Sequence, residues 1–192
     1  QVGGVVASEL AADGRPDLQF LVMPLSVDKP GEPLHRFAGF SAAVMQARPL
    51  SSGTVELRSA DPLAPPRLLP NYLSAPQDVA TLVQGLKTLR HIFQQPAFRP
   101  LMSDAEYMPG NAVRSDDELE RFARHKGGTV FHPSGTCRMG SDERAVVDPQ
   151  LRVRGVQRLR VIDASVMPRM VSTNINAATI MIGEKGASLI AG

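Results

Sequence analysis

The chain has 192 residues, of which 43% are apolar and 21% are charged, and its formal net charge at pH 7 is +2. A chain of this size and composition can bury a sizeable core, as one large domain or as one domain with an appendage, and does not need disulfides for stability. Its single cysteine, Cys137, excludes an internal disulfide framework and is typical of a reducing, cytoplasmic compartment, and no apolar run reaches the roughly 18 residues of a membrane span.

The first part of the chain predicts β-strands that are separated by irregular segments. Residues 17–25 read as a strand that ends at a proline, and residues 37–47 as a long buried strand. Residues 53–58 alternate polar and apolar side chains, as in a half-buried strand. Residues 62–70 contain several prolines and predict irregular structure.

Two helices are predicted next. Ser74 and Gln77 have the spacing of a capping box, and apolar side chains then recur at helical intervals until Pro96. Ser115 and Glu118 predict a second capping box, which begins a shorter helix that ends at a pair of glycines.

The last part of the chain predicts a hairpin and a final helix. Residues 148–163 read as a hairpin that turns near Gly155, with arginines alternating with aliphatic side chains as on an exposed strand face. A nucleic-acid-binding patch is the less favoured interpretation of these arginines. A helix begins near Asn176, and because its first turns are apolar on all sides we expect it to be buried. The order of these elements predicts an α+β fold.

Two polar residues are candidates for chemistry. His132 precedes a proline in a loop that contains two glycines, so its backbone is extended, and such a histidine can act as a base or be merely structural. Asn176 stands where the N-cap of the last helix is expected, with Thr173 and Asn174 as competitors, and a capping role alone would explain it. The positive end of that helix would also stabilise an anion such as an alkoxide.

Other kinds of site receive less support from the sequence. Cys137 lies five residues after His132, but a small, buried, apolar role is more typical of such a cysteine than a Cys–His nucleophile pair. The remaining histidines show no metal-ligand spacing, so no metal site is predicted. The sequence contains no Gly-x-Ser-x-Gly elbow, no Gly-x-Gly-x-x-Gly after a strand and no P-loop.

Several motifs, taken together and in order, resemble the C-terminal portion of the glucose–methanol–choline (GMC) flavoprotein oxidoreductases, especially the choline-dehydrogenase-like members. The central one is His-Pro-Ser-Gly-Thr-Cys-Arg-Met-Gly, which resembles the catalytic-histidine loop of that family. The motifs occupy residues 48–58, 70–73, 132–140, 147–149, 151–153, 159–165 and 174–185. The resemblance is good from about residue 48 to residue 190 and looser over residues 1–47.

The resemblance implies an FAD-dependent alcohol dehydrogenase or oxidase that converts a primary alcohol to an aldehyde. His132 would accept the hydroxyl proton close to flavin N5, and Asn176 would be the second catalytic residue, which holds the same oxygen. Asp163 and Ala164 would contact the phosphate–ribityl region of FAD, and Asn176 and Ala177 would contact the edge of the flavin ring.

The resemblance also implies the domain organisation. Residues 1–145 would form the substrate-binding domain, a mostly antiparallel sheet of about five or six strands flanked by helices. Residues 146–192 would return to the FAD-binding domain. That domain is missing here, so we expect the chain to be an inactive fragment without bound FAD. Its expected partners are a small alcohol and the N-terminal region of its own parent.

The sequence leaves some questions and one rival function open. Thr173 and Ala178 stand where the family often has glycine and proline, which would change the start of the last helix. Without the missing region the final helix and the hairpin would lack their packing partner, and would be ordered by contacts in a homo-oligomer or be partly mobile. No nucleic-acid partner is expected. The rival function is a non-catalytic binding module that keeps this fold. A hydrolase that uses His132, a serine and Asp163 is the weakest alternative.

Overall fold

The computed structural model describes residues 2–29 and 31–192. The chain forms two compact units, of which the first contains the residues up to Leu50 together with Leu73–Gly128, and the second contains Ser51–Tyr72 and Thr129–Gly192. Both sheets are antiparallel and helices accompany them, which confirms the α+β prediction. The division into domains 1–145 and 146–192 concerns the whole parent and stays a prediction.

A three-stranded antiparallel sheet is the base of the first unit. Its strands are β1 (Val2–Val6), β2 (Leu18–Met23) and β3 (Ser41–Gln46), in the order β1-β2-β3. The second and third strands lie within the segments that the sequence predicts as strands. Strand β3 begins at Ser41, later than the start of the predicted segment 37–47. One face of this sheet supplies buried side chains to the core.

Helix α1 (Pro76–Phe93) packs closely on this sheet. A Cβ atom added at Gly85 would lie 2.6 Å from Val44 Cγ2 and 2.9 Å from Leu18 Cδ2, so only a glycine allows this approach. The predicted cap at Ser74 is wrong, because the N-cap is Ala75 and makes no side-chain hydrogen bond. Gln77 instead donates its amide to the backbone oxygen of Leu10, at 3.2 Å.

Helix α2 (Asp116–Lys126) begins with the capping box that the sequence predicts. The Glu118 backbone N–H donates to Ser115 Oγ at 3.3 Å, and the Ser115 backbone N–H donates to the Glu118 carboxylate at 2.9 Å. The Arg114 backbone N–H donates to the same carboxylate at 2.9 Å. The backbone donors of Arg114 and Ser115 lower the pKa of Glu118 to about 2.

We expect Glu118→Gln to remove part of the acid sensitivity of the fold. Because the folded-state pKa of about 2 lies below the ordinary value of 4.5, the carboxylate stabilises the helix fully above pH 4.5 and loses this contribution as the pH falls towards 2. The urea midpoint of the wild-type protein should therefore fall more steeply over that window than the midpoint of the variant. Glu120→Gln removes a carboxylate outside the cap and is the matched control. Parallel pH profiles for wild type and Glu118→Gln would contradict the prediction.

The second unit has a small sheet of its own. Strands β4 (Thr54–Glu56) and β5 (Arg67–Leu69) pair antiparallel. The segment 62–70 is therefore not wholly irregular, because β5 forms between Pro66 and Pro70. The described residues contain one three-stranded and one two-stranded sheet, so they do not form the single sheet of five or six strands that was predicted.

The predicted hairpin is only partly formed. Its two arms meet in one isolated bridge, between Arg152 and Arg160, and a second isolated bridge joins Val147 to Val153 before the turn. Neither arm is a continuous strand. Leu151 and Arg158 have φ angles of 63° and 59°, in the left-handed region, which interrupts the extended backbone. These two residues explain why an alternating sequence does not become a regular β-hairpin.

Helix α3 (Asn176–Ala191) closes the second unit. Ile182 packs in a cluster with other buried side chains, namely Val147, Leu151, Val166, Met167 and Ile175. Ile180 and Met181 are each 59% exposed, so the helix is not buried on all sides within this chain as its sequence predicts.

We expect Gly186→Ala to destabilise the second unit. The added Cβ would lie 2.3 Å from Ile162 Cγ2, so α3 or the isoleucine must move, at a cost of about 1–3 kcal/mol. The unfolding free energy from urea titration measures this cost. Gly183→Ala on the same helix meets nothing within 4 Å and should be neutral or slightly stabilising. Adding Ile162→Ala should reduce the penalty of Gly186→Ala, and a fully additive double mutant would contradict the proposed clash.

Candidate functional site

The loop that carries His132 is attached to the segment 164–166 by backbone hydrogen bonds. Gly135 N–H donates to Ala164 O at 3.3 Å, and Cys137 N–H donates to Ser165 O at 2.9 Å. Met139 N–H donates to Val166 O at 2.8 Å. This ladder fixes the C-terminal side of the histidine loop.

Asp163 organises the segment to which the loop is attached. Its Oδ1 accepts a hydrogen bond from Ser165 N–H at 2.7 Å and so caps the 3₁₀ turn Ala164–Val166. Val166 is fully buried and anchors the turn in the core. Asp163 and Ala164, predicted to contact a cofactor, therefore also support the loop that carries His132.

Phe131 sets the direction of the chain just before His132. Its φ angle of 60° lies in the left-handed region, which a bulky residue rarely adopts. Its backbone N–H donates to Thr129 Oγ1 at 3.0 Å, which helps to hold this turn. The His132 side chain is half-buried, whereas the Phe131 side chain is 80% exposed.

His132 meets Asn174. The distance from His132 Nε2 to Asn174 Nδ2 is 2.8 Å. An amide NH₂ group only donates, so in this arrangement Nε2 carries no proton and the ring proton is on Nδ1. If the amide is turned by 180°, Asn174 Oδ1 accepts from Nε2–H instead, because the assignment of amide oxygen and nitrogen follows from the network. In the first arrangement the site presents a basic ring nitrogen beside an amide donor.

Asn176 occupies a different place from the one the sequence suggests. It is the first residue of α3, is exposed, and its side chain makes no hydrogen bond to the residues that the structure describes. The N-cap is Ile175, so Asn176 does not cap the helix. The sequence interpretation considered Asn174 only as a competing cap and so missed its contact with His132. The signal for it was present, since both asparagines belong to the same motif.

The N-terminus of α3 lacks a capping side chain. Ile175 makes no side-chain hydrogen bond to the first turn, and the exposed residues Asn176 and Ala177 follow it. The backbone N–H groups of a first helical turn have no partners within the helix and carry partial positive charge. These donors fit an anionic or electron-rich part of a cofactor such as flavin.

Metal ligands, the single cysteine and membrane-spanning helices were the other features that the sequence raised. Within residues 2–29 and 31–192, no group of three or more His, Cys, Asp or Glu side chains is arranged to hold a metal ion. Cys137 is half-buried. In the same part of the chain, no helix has both the length and the apolar character needed to cross a membrane.

The fold and the site define a class: an α+β chain that places a loop histidine and an asparagine together, before an uncapped helix N-terminus. The family model described as GMC oxidoreductase matches residues 49–183. The chain therefore belongs to the GMC oxidoreductase family, and the resemblance seen in the sequence is confirmed.

Curated relatives cover nearly the whole chain. It is 43% identical over 188 residues to alcohol dehydrogenase [acceptor] of Pseudomonas putida, and the aligned region covers 98% of this chain and 34% of that protein. It is 43% identical over 194 residues to human mitochondrial choline dehydrogenase, and this alignment covers 100% of this chain and 32% of that protein. The chain thus spans about a third of the length of these relatives.

Solved structures agree with the sequence relatives. A formate oxidase of Aspergillus oryzae RIB40, studied for its FAD modification, superposes with a TM-score of 0.81 at 29% identity, over 92% of this chain and 32% of that one. Pyridoxine 4-oxidase from Mesorbium loti superposes with a TM-score of 0.78 at 27% identity, over 97% of this chain and 36% of that one.

Proposed function

We propose that the chain is the C-terminal, substrate-binding portion of an FAD-dependent oxidoreductase that oxidises a primary alcohol to an aldehyde. The observation that carries the proposal is the 2.8 Å contact between His132 Nε2 and Asn174 Nδ2 in a chain of the GMC family. The proposed partners are a small alcohol and the FAD-binding region of the same parent protein.

The two side chains suit the activation of an alcohol. A hydroxyl oxygen placed about 3 Å from both nitrogens can donate its proton to Nε2 of His132 and accept a hydrogen bond from Nδ2 of Asn174. Removal of the proton raises the electron density on the attached carbon, and the amide donor stabilises the alkoxide. His132 is thus the proposed base and Asn174 the proposed alkoxide donor.

FAD, when bound, supplies the hydride acceptor at its N5 atom. The proposed contacts of this chain to FAD are the backbone donors of Asn176 and Ala177 at the start of α3, and Asp163 with Ala164 on the phosphate–ribityl side. Asp163 has one carboxylate oxygen engaged with the turn that follows it, which fixes the orientation of the other. Asn176 was predicted both as the second catalytic residue and at the flavin edge, and we propose the flavin edge because no hydrogen bond joins its side chain to His132 among the described residues.

Anaerobic reduction of the flavin tests this proposal directly. The full-length parent should purify yellow, and its visible flavin bands should bleach when a primary alcohol is added without oxygen. Deuteration of the alcohol at the reacting carbon should slow the bleaching, because that C–H bond breaks in the step. A colourless protein that takes up no FAD would overturn the proposal and favour a non-catalytic binding module.

A further inference from the structure

The partly formed hairpin of the second unit borders an open pocket of about 310 Å³. Four arginines line it, and Asp148 is the one carboxylate among its lining residues. The arginines are Arg152, Arg154, Arg158 and Arg160. None of the residues assigned above to alcohol or FAD lines this pocket, which we call the arginine pocket.

The arginine pocket carries a large excess of positive charge. Guanidinium groups stay protonated at every physiological pH, so the lining residues carry four positive charges and one negative charge. Arg152 and Arg160 form an antiparallel bridge and so lie directly opposite each other, where like charges repel. A bound anion would remove this repulsion.

The carboxylate in the pocket is already engaged. Asp148 Oδ2 accepts from Arg152 Nε at 2.8 Å, and Oδ1 accepts from the backbone N–H groups of Arg152 at 3.0 Å and Gln150 at 2.9 Å. The backbone N–H of Arg152 is the main cause that holds the pKa of Asp148 below its ordinary value. Asp148 therefore compensates the charge of Arg152 and leaves the positive charges of the other three arginines without a carboxylate in the pocket.

Those three arginines have no carboxylate partner among the described residues. Arg154 Nη2 donates to Gly140 O at 2.9 Å and Arg160 Nη2 donates to Leu189 O at 3.1 Å, but a carbonyl does not neutralise a charge. Arg160 Nε is buried and has no hydrogen-bond partner within residues 2–29 and 31–192. Arg158 is exposed and makes no hydrogen bond or ion pair with the part of the chain that the structure describes. A buried donor without an acceptor is rare in a folded protein, so the guanidinium of Arg160 is poorly compensated within the described residues.

We propose that the arginine pocket binds a phosphate group. A phosphate offers several acceptor oxygens and up to two negative charges, and the planar guanidinium fork matches its geometry. A pocket of about 310 Å³ has room for a pyrophosphate or a phosphate ester rather than a single small ion. The phosphate has two sources to be distinguished, a free phosphorylated molecule and the headgroup of an anionic lipid. This inference does not depend on the proposed alcohol oxidation.

Titration of the 192-residue chain with inorganic pyrophosphate tests the free source, by calorimetry at constant ionic strength. Sedimentation with phosphatidylcholine vesicles, with and without phosphatidic acid, tests the lipid source. The variant is Arg158→Gly, because glycine accepts the left-handed backbone at this position without strain and the fold should be kept. Arg144→Ala removes an exposed arginine outside the pocket and is the matched control.

Arg158→Gly should weaken binding about tenfold in one of the two arms, whereas Arg144→Ala should leave it unchanged. Loss confined to the pyrophosphate arm assigns a free phosphorylated ligand, and loss confined to phosphatidic acid vesicles assigns a lipid headgroup. Binding that is absent from both arms, or that falls equally in Arg158→Gly and Arg144→Ala, overturns the proposal, since the second result reflects net charge alone.

Discussion

Replacing His132 with alanine in the parent enzyme should lower the rate constant for flavin reduction by alcohol by about 10²–10⁴-fold. The reason is the loss of the proposed base: without Nε2 the hydroxyl proton has no acceptor, and the neutral alcohol is a poor hydride donor. Stopped-flow bleaching of the flavin at saturating alcohol measures this step separately from substrate binding and reoxidation. The ratio of FAD to protein should remain that of the wild type.

Two controls separate the loss of a base from structural damage. His125→Ala removes an exposed histidine on α2 and should leave the rate of flavin reduction unchanged. Added imidazole should restore part of the rate in His132→Ala, because it can occupy the space of the missing ring and accept the proton. A variant that binds FAD normally and is reduced at the wild-type rate would refute the assignment of His132 as the base.

Local patterns predicted the helices well because their signals lie within a few residues. The capping box at Ser115 and Glu118 is correct, since both partners belong to the same turn. The equivalent spacing at Ser74 and Gln77 failed because Gln77 finds its partner at Leu10, which is distant in sequence. The predicted capping box does not form, because rules based on neighbouring residues do not include such a long-range contact.

The positions of some strands were predicted wrongly for a different reason. Strand β5 lies between Pro66 and Pro70, where the density of prolines predicts a loop. In a two-stranded ribbon each strand is an edge, so a proline beside it removes no required hydrogen bond. Conversely, the hairpin arms look like strands in sequence, but the left-handed backbone at Leu151 and Arg158 breaks them. Neither residue type signals such a conformation.

The sequence predicts which residue types form the site, but not which of them are in contact. The motif around His132 identified the histidine, and the final motif identified two asparagines. Which asparagine meets the histidine depends on where α3 begins, and the helix begins at Asn176 with Ile175 as its cap. Since an isoleucine is a poor N-cap, sequence rules place the helix start at a polar residue and do not reveal which asparagine meets the histidine.

The pair of variants Asn174→Ala and Asn176→Ala decides between these asparagines. Because the Asn174 amide lies 2.8 Å from His132 Nε2, we expect its loss to lower the rate constant for flavin reduction at saturating alcohol. The expected decrease is about 10²–10³-fold, the usual effect of removing one donor to a developing oxyanion. Asn176→Ala should change this rate constant far less and act on the amount of FAD retained.

Both variants should be compared at equal FAD content, so that a loss of cofactor is not mistaken for a loss of chemistry. Asn174 and Asn176 are both exposed in this chain, so neither replacement creates a buried cavity and each serves as the matched control for the other. The reverse result, with the large rate effect in Asn176→Ala, would mean that the first turn of α3 is rearranged when the FAD-binding region packs against it. The contact between His132 and Asn174 would then belong to the isolated chain, and the catalytic pair would form only in the assembled enzyme.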